Sequence, residues 1–175
     1  KLELTPRPAK SKNERNLPID LFFTSLAEVH QSHAIGVVLS GTASDGTLGL
    51  KAIKDHGGIT FAQDEASAEY EGMPQSAANA GVVDFILPPE KMPEKLLEVT
   101  RIINGNGHTA DALPLHDEDV FKQIISLLRI RKGTDFTYDK QSTIRRRILR
   151  RMAIHKNEEP ADYLKYLREN KTEQD

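Results

Sequence analysis

Apolar residues recur along this chain in short blocks whose period switches between helix-like and strand-like. Lys1 to Asn16 carry no apolar period, and then Pro18 and Asp20 open a stretch with Leu21, Phe22, Leu26 and Val29 at helical spacing, which predicts a helix with those four on its inner face. Ala34 to Leu39 is an apolar run of strand length, Ser40 to Gly46 a loop, and Thr47 to His56 a second helix closed by Gly57 and Gly58. Ile59 to Ala62 predicts a second buried strand, Pro74 to about Asn79 a helix with proline in its first turn, and Val82 to Leu87 a third strand ended by Pro88 and Pro89. Glu90 to Ile103 returns to helical spacing through Met92, Leu96, Leu97, Val99 and Ile103. Buried strands that alternate with helices predict an α/β fold with a doubly wound parallel sheet. Three strands are few for that architecture, so the sheet is expected to be partial, with further strands supplied upstream.

The apolar period lapses over 104–116, where Asn-Gly-Asn-Gly and Pro114 predict a linker, and it restarts at Val120. Asp117 to Arg131, Lys140 to His155 and Pro160 to Glu169 then predict three helices. The expected organisation is a tether over 1–16, an α/β unit over 17–103, the linker, a small all-helical domain over 117–170 and a tail over 171–175. Such a chain reads as a piece of a larger protein.

Composition narrows the chemistry. The 175 residues are 38% hydrophobic and 29% charged, a globular balance, and the lack of cysteine excludes a thiolate nucleophile, a disulfide frame and a cysteine zinc site. Of the six histidines only His30 and His33 lie close together, without an acid or third ligand beside them, so no metal site is expected. The apolar runs at Ala34 to Leu39 and Ile124 to Leu128 fall far short of the roughly 20 residues that cross a bilayer, and Lys1 to Arg15 lack a signal-peptide core; a cytoplasmic protein with no membrane insertion is expected.

The net charge of −2 conceals an asymmetry: Arg129 to Lys156 hold ten Lys and Arg against Asp135 and Asp139, a net of +8, which leaves −10 elsewhere. A compact basic region in an acidic chain predicts an anionic partner. On a helical projection Ile144, Ile148, Leu149 and Met152 gather on one side and Arg146, Arg147, Arg150 and Arg151 on the other, with Arg145 beside the apolar stripe. No acids on the same helix are spaced to pair with these arginines, so their partners must come from elsewhere in the protein or from another molecule. Nucleic acid is not expected, since the helix has no Asn or Gln beyond Gln141 for base reading and no recognisable DNA-binding motif is present.

The loop Ser40-Gly41-Thr42-Ala43-Ser44-Asp45-Gly46 follows a buried strand and precedes a helix, the position where open α/β sheets place their sites. A carboxylate at Asp45 could orient the histidine of a serine triad. Asp or Ser before a helix is also an ordinary N-cap, and both readings stand on spacing alone. The loop is neither a G-x-x-x-x-G-K phosphate cradle nor a G-x-S-x-G nucleophile turn.

The run from Ala34 through Gly46, with Ala62-Gln63-Asp64-Glu65-Ala66-Ser67 and Gly72-Met73-Pro74, resembles the C-terminal half of the chemotaxis protein-glutamate methylesterase domain, the CheB type, over roughly Leu17 to Ile103. That resemblance implies a serine hydrolase acting on glutamyl methyl esters of chemoreceptors, with Asp45 as triad acid, serine and histidine upstream, and the backbone N–H of Thr42 in the oxyanion region, where relatives often carry Met. Val120 to Leu167, with Phe121-Lys122-Gln123-Ile124, Gly133, Lys140, Thr143 to Ile148 and Arg150-Arg151-Met152, resembles the N-terminal helical domain of the chemotaxis receptor methyltransferase, the CheR type. This second resemblance implies that Arg147, Arg150 and Arg151, with Arg146 added by proximity, face the acidic cytoplasmic methylation region of a receptor. S-adenosylmethionine would bind a domain downstream and no cofactor is expected in this chain, which by itself is expected to be inactive.

Overall fold

The computed structural model describes residues 17–104, 115–132 and 141–174. The expected tether, most of the linker and the stretch holding Gly133 and Lys140 lie outside them.

Three strands, β1 (Ile35–Val38), β2 (Ile59–Gln63) and β3 (Phe85–Leu87), form one parallel sheet in the order β1-β2-β3, with Ile35 opposite Ile59 and Phe61 opposite Phe85. The central strand is buried along its whole length, as a parallel strand covered on both faces must be. Helices α1 (Pro18–His30), α2 (Thr47–Asp55) and α3 (Gly72–Asn79) cover one face, with Ala27, Ala34, Val38, Leu50, Ile53, Ala77 and Val82 as its core.

On the other face Ile59 and Phe61 pack with Val99 and Ile102 of α4 (Met92–Asn104), and the same core runs on into α5 (Leu115–Lys132), α6 (Gln141–Ile154) and α7 (Pro160–Glu169) through Ile124, Ile148, Met152, Tyr163 and Leu167. The fold class read from the sequence, a partial doubly wound parallel sheet followed by helices, is the observed one. The two parts share the core on this face of the sheet, while the core under α1, α2 and α3 belongs to the sheet part alone.

Several local expectations are corrected. Leu21, Phe22 and Val29, expected on the inner face of α1, are exposed, and Asp20 and Ala27 are buried instead. The helix turns this side inward because it packs against α2, where Gly49 admits Phe23: a Cβ on Gly49 would stand 2.4 Å from the Phe23 Cβ. The third strand begins at Phe85, not Val82, because Thr60 takes the backbone of 82–84 by its side chain: its Oγ1 donates to the Val82 carbonyl at 2.7 Å and accepts from the Asp84 N–H at 3.0 Å. The expected tail closes as a 3-10 turn over Lys171–Gln174, held by Glu173 inside a polar cluster with Arg151, His155 and Tyr163.

Candidate functional site

The Ser40–Gly46 loop leaves the carboxyl end of β1 and is fastened to the next crossover on both sides. Gly41 donates its N–H to the Tyr70 carbonyl at 2.8 Å, its own carbonyl accepts from Met73 N–H at 2.9 Å, and Tyr70 N–H donates to Ser40 Oγ at 2.9 Å. Gly72 permits this approach, since a Cβ there would lie 2.9 Å from the Ala43 nitrogen. Gln63, at the end of β2 and only 7% exposed, is the brace beneath: Oε1 accepts from Ser40 N–H at 2.8 Å while Nε2 donates to the Ser67 carbonyl at 2.9 Å. A buried amide that meets donors and acceptors on two loops fixes them relative to each other. Beside it a cavity of about 180 Å³ opens between Gln63, Glu65, Glu71, Gln75 and Ile86. That is smaller than the roughly 300–1,000 Å³ of small-molecule pockets.

Asp45 is half-buried, and its carboxylate reaches across to another helix: Oδ2 accepts from Ile19 N–H at 3.1 Å and Oδ1 from Asp20 N–H at 2.9 Å. Those amides belong to the first turn of α1, whose N-cap residue Leu17 has no side-chain acceptor. Asp45 therefore caps a helix, but α1 rather than α2, which it precedes in sequence. The first turn of α2 is served in return by Asp20, whose Oδ1 accepts from the buried Gly49 N–H at 2.8 Å. The two helices cap each other across their packed faces. Ser44, the other cap expected for α2, makes no side-chain cap bond there. Asp45 is thereby aimed and held at the carboxyl edge of the sheet, and Thr42 stands exposed three residues before it with no hydrogen bond from its backbone N–H among the described residues.

The four arginines expected to face a partner divide. Arg150 is 8% exposed; its Nε donates to the Gly58 carbonyl at 2.6 Å and its Nη2 to the Asp84 carboxylate at 2.9 and 2.8 Å. This corrects the reading of Arg150 as receptor-facing: α6 lies between the sheet edge and the other helices, so both its apolar stripe and part of its basic side are covered. Arg151, which is partly exposed, pairs with Glu173, and its Nη2 also lies 3.2 Å from His155 Nε2. Burial works to raise the Glu173 carboxyl, but hydrogen bonds and charge from Arg151, with Tyr163 and His155, outweigh it and hold the group below the ordinary carboxylate range; the same bond raises Arg151. Tyr163 is raised by burial and by that carboxylate.

Arg147 is exposed and has no ion pair among the described residues, and Arg146 is partly exposed with its Nε unpartnered. Burial lowers Arg146, and burial followed by the Arg146 charge lowers His33. Arg145 lies over the Phe121 ring, 4.9 Å from its centroid.

Sequence reasoning missed Asp20, Gln63 and Asp84. Asp84 left a signal, a lone carboxylate inside an apolar run, and Asp20 one as an acid in the first turn of a helix, though not for the role it has. No group of His, Asp and Glu that could hold a metal occurs among the described residues, and none of their helices is long and apolar enough to cross a membrane.

Residues 1–96 match the family model of CheB methylesterase, and residues 119–175 that of the all-alpha domain of CheR methyltransferase. An uncharacterized 104.1 kDa protein of Rhodobacter capsulatus is 33% identical over 98% of this chain, which is 20% of that protein, so both segments stand there in the same order. A protein-glutamate methylesterase/protein-glutamine glutaminase of Pyrococcus horikoshii is 40% identical over 51% of this chain and 24% of its own length. The CheB methylesterase catalytic domain of Thermotoga maritima is 39% identical and aligns over 46% of this chain and 42% of that one, with a TM-score of 0.45. The chain spans about a fifth to a quarter of the curated relatives it matches. It belongs to the CheB methylesterase family, with a CheR-type all-alpha domain following the methylesterase segment.

Proposed function

We propose that the parent protein hydrolyses glutamyl methyl esters on chemoreceptors and also methylates receptor glutamates, and that this chain is the junction between the two activities. The observation that carries the hydrolytic half is the aimed Asp45 carboxylate, at the carboxyl edge of a parallel sheet in a chain of the methylesterase family. A carboxylate fixed by two backbone amides can accept a further N–H from a histidine, hold that ring in one tautomer and stabilise it once it has taken the proton of a serine. The unspent N–H of Thr42 supports a place in the oxyanion region, where a preorganised donor favours the charge that develops on the ester carbonyl oxygen. Among the described residues no histidine contacts Asp45, so the chain alone is expected to be inert.

Of the four arginines expected to face a partner, Arg147 and Arg146 are the ones offered to an acidic receptor segment in the cytoplasm, whereas Arg150 and Arg151 act by shaping the helix that presents them. The methyl donor implied by the transferase family is S-adenosylmethionine. The described residues of the helical unit contain no glycine-rich strand-to-helix turn to hold it, and its binding is assigned to other parts of the parent.

The test is methanol release from methylated receptor by the parent with Asp45→Asn, which keeps one carbonyl oxygen for the α1 amides. A fall in kcat of about ten-thousandfold with a small change in stability places Asp45 in the triad. Unchanged kcat leaves it a helix cap only.

A further inference from the structure

Arg150 reads from the sequence as a cation for a partner, yet its guanidinium is spent inside the fold. It grips Asp84, whose side chain is 3% exposed and which also accepts from Thr60 N–H and stands 3.4 Å from Lys54 Nζ. One pair thus ties α6 to the starts of β2 and β3 and to α2. The apolar core is continuous around it, from Ile59 and Phe61 to Ile144, Ile148 and Met152.

The register says where this joint lies. Gly58 and Asp84 immediately precede β2 and β3, and a Cβ on neighbouring Gly57 would stand 3.8 Å from the Arg147 Cγ, so α6 runs along the amino edge of the sheet. Thr42 and Asp45 follow β1 at the carboxyl edge. A five-residue strand at about 3.3 Å per residue separates the two edges by roughly 15 Å.

We propose that Arg150 is the pin of a fixed joint that holds the basic helix against the amino edge of the sheet, so that the arginine surface and the Asp45 loop sit at opposite ends of one rigid body and a receptor segment held at one leaves the other open. The naming of the two surfaces rests on the function proposed above; the joint does not.

The chain contains no cysteine, so nitroxide labels on Ser44→Cys and Lys165→Cys report the distance between the loop and α7 by electron–electron double resonance. One narrow distance distribution is expected in the otherwise unaltered chain, and R150M is expected to broaden it and to lower the Tm by roughly 10 °C, as loss of one partner of a buried pair does. A broad or double distribution before R150M is introduced, or an equally narrow one after it, overturns the joint. Should R150M fail to fold, R150K decides in its place: a single ammonium cannot reproduce the three guanidinium bonds, so broadening supports the pin and an unchanged width overturns it. In the parent, saturating acidic receptor peptide should leave the methylesterase rate unchanged, and competitive inhibition overturns the opposite-ends arrangement. The distance readout needs no activity, so a failed esterase assay and a failed joint are told apart.

Discussion

Replacing Asp20 by alanine tests whether α1 and α2 are held by exchanged caps. The Gly49 N–H that Asp20 receives is buried, at 2.8 Å, in the first turn of α2, and no other acceptor for it occurs among the described residues. Removing the carboxylate costs about 1.5–3 kcal/mol for a hydrogen bond to a charged group. It also forfeits about 0.5 kcal/mol of favourable interaction with the N-terminal end of α1. Two terms oppose this: alanine is a better helix former by roughly half a kcal/mol, and removing one of two neighbouring carboxylates relieves repulsion with Asp45. The losses win, for a net of about 2 kcal/mol. In urea, with a slope of about 2 kcal/mol per molar for a chain of this size, the midpoint should fall by roughly 1 M. D20N keeps an acceptor oxygen and should lose about half as much. Amide exchange at Gly49 should quicken in both. A D20A midpoint equal to or above that of the unaltered protein would refute the reasoning, because it would mean that desolvating the carboxylate costs more than its bond returns.

Two further outcomes follow from packing and charge. Gly49→Ala, which stabilises an exposed helix by about 1 kcal/mol, should here destabilise by about 2, because the new methyl meets Phe23 and the Asp20 Cα at 2.4 and 3.2 Å; a raised urea midpoint would show that the helices can part without cost. Glu173 is held below its ordinary value of 4.5, so the stability it contributes is fully present above that pH and is lost as pH falls through its folded value. E173Q should therefore be less stable than the unaltered chain near neutrality and converge on it in acid, and melting curves from about pH 3 to pH 7 that stay parallel would dispose of the pairing.

The parallel sheet and the seven helices among the described residues were legible because each rests on local signals: apolar period, Pro at helix starts, Gly after α2. What the sequence hid lies between elements. Asp45 and Asp20 are both acids in the right place to cap, but which helix each caps depends on how α1 and α2 pack, a contact across 25 residues and more. The helical projection of α6 put Arg150 among the outward cations because a projection knows one neighbour; the helix has the sheet edge on its other side. The inner face of α1 was misplaced for the same reason, since Phe22 and Phe23 are equally apolar and only the Gly49 gap chooses between them.

A buried ion pair is weak evidence for stability, since an apolar pair of the same shape often does as well. Its stronger consequence here is geometric. The shared core of Phe61, Ile148 and Leu167 would tolerate small slips of α6 along the sheet, because apolar contacts have no fixed direction. Arg150 does not tolerate them: its fork must meet the Gly58 carbonyl and the Asp84 carboxylate together, and Asp84 is already committed to Thr60. A shift by one residue, about 1.5 Å along the helix and 100° around it, would leave a guanidinium and a carboxylate buried apart, the arrangement the interior penalises most. The apolar core thus supplies adhesion and the ion pair supplies register, and that division lets Arg147 keep a fixed outward position while its neighbour three residues on is enclosed.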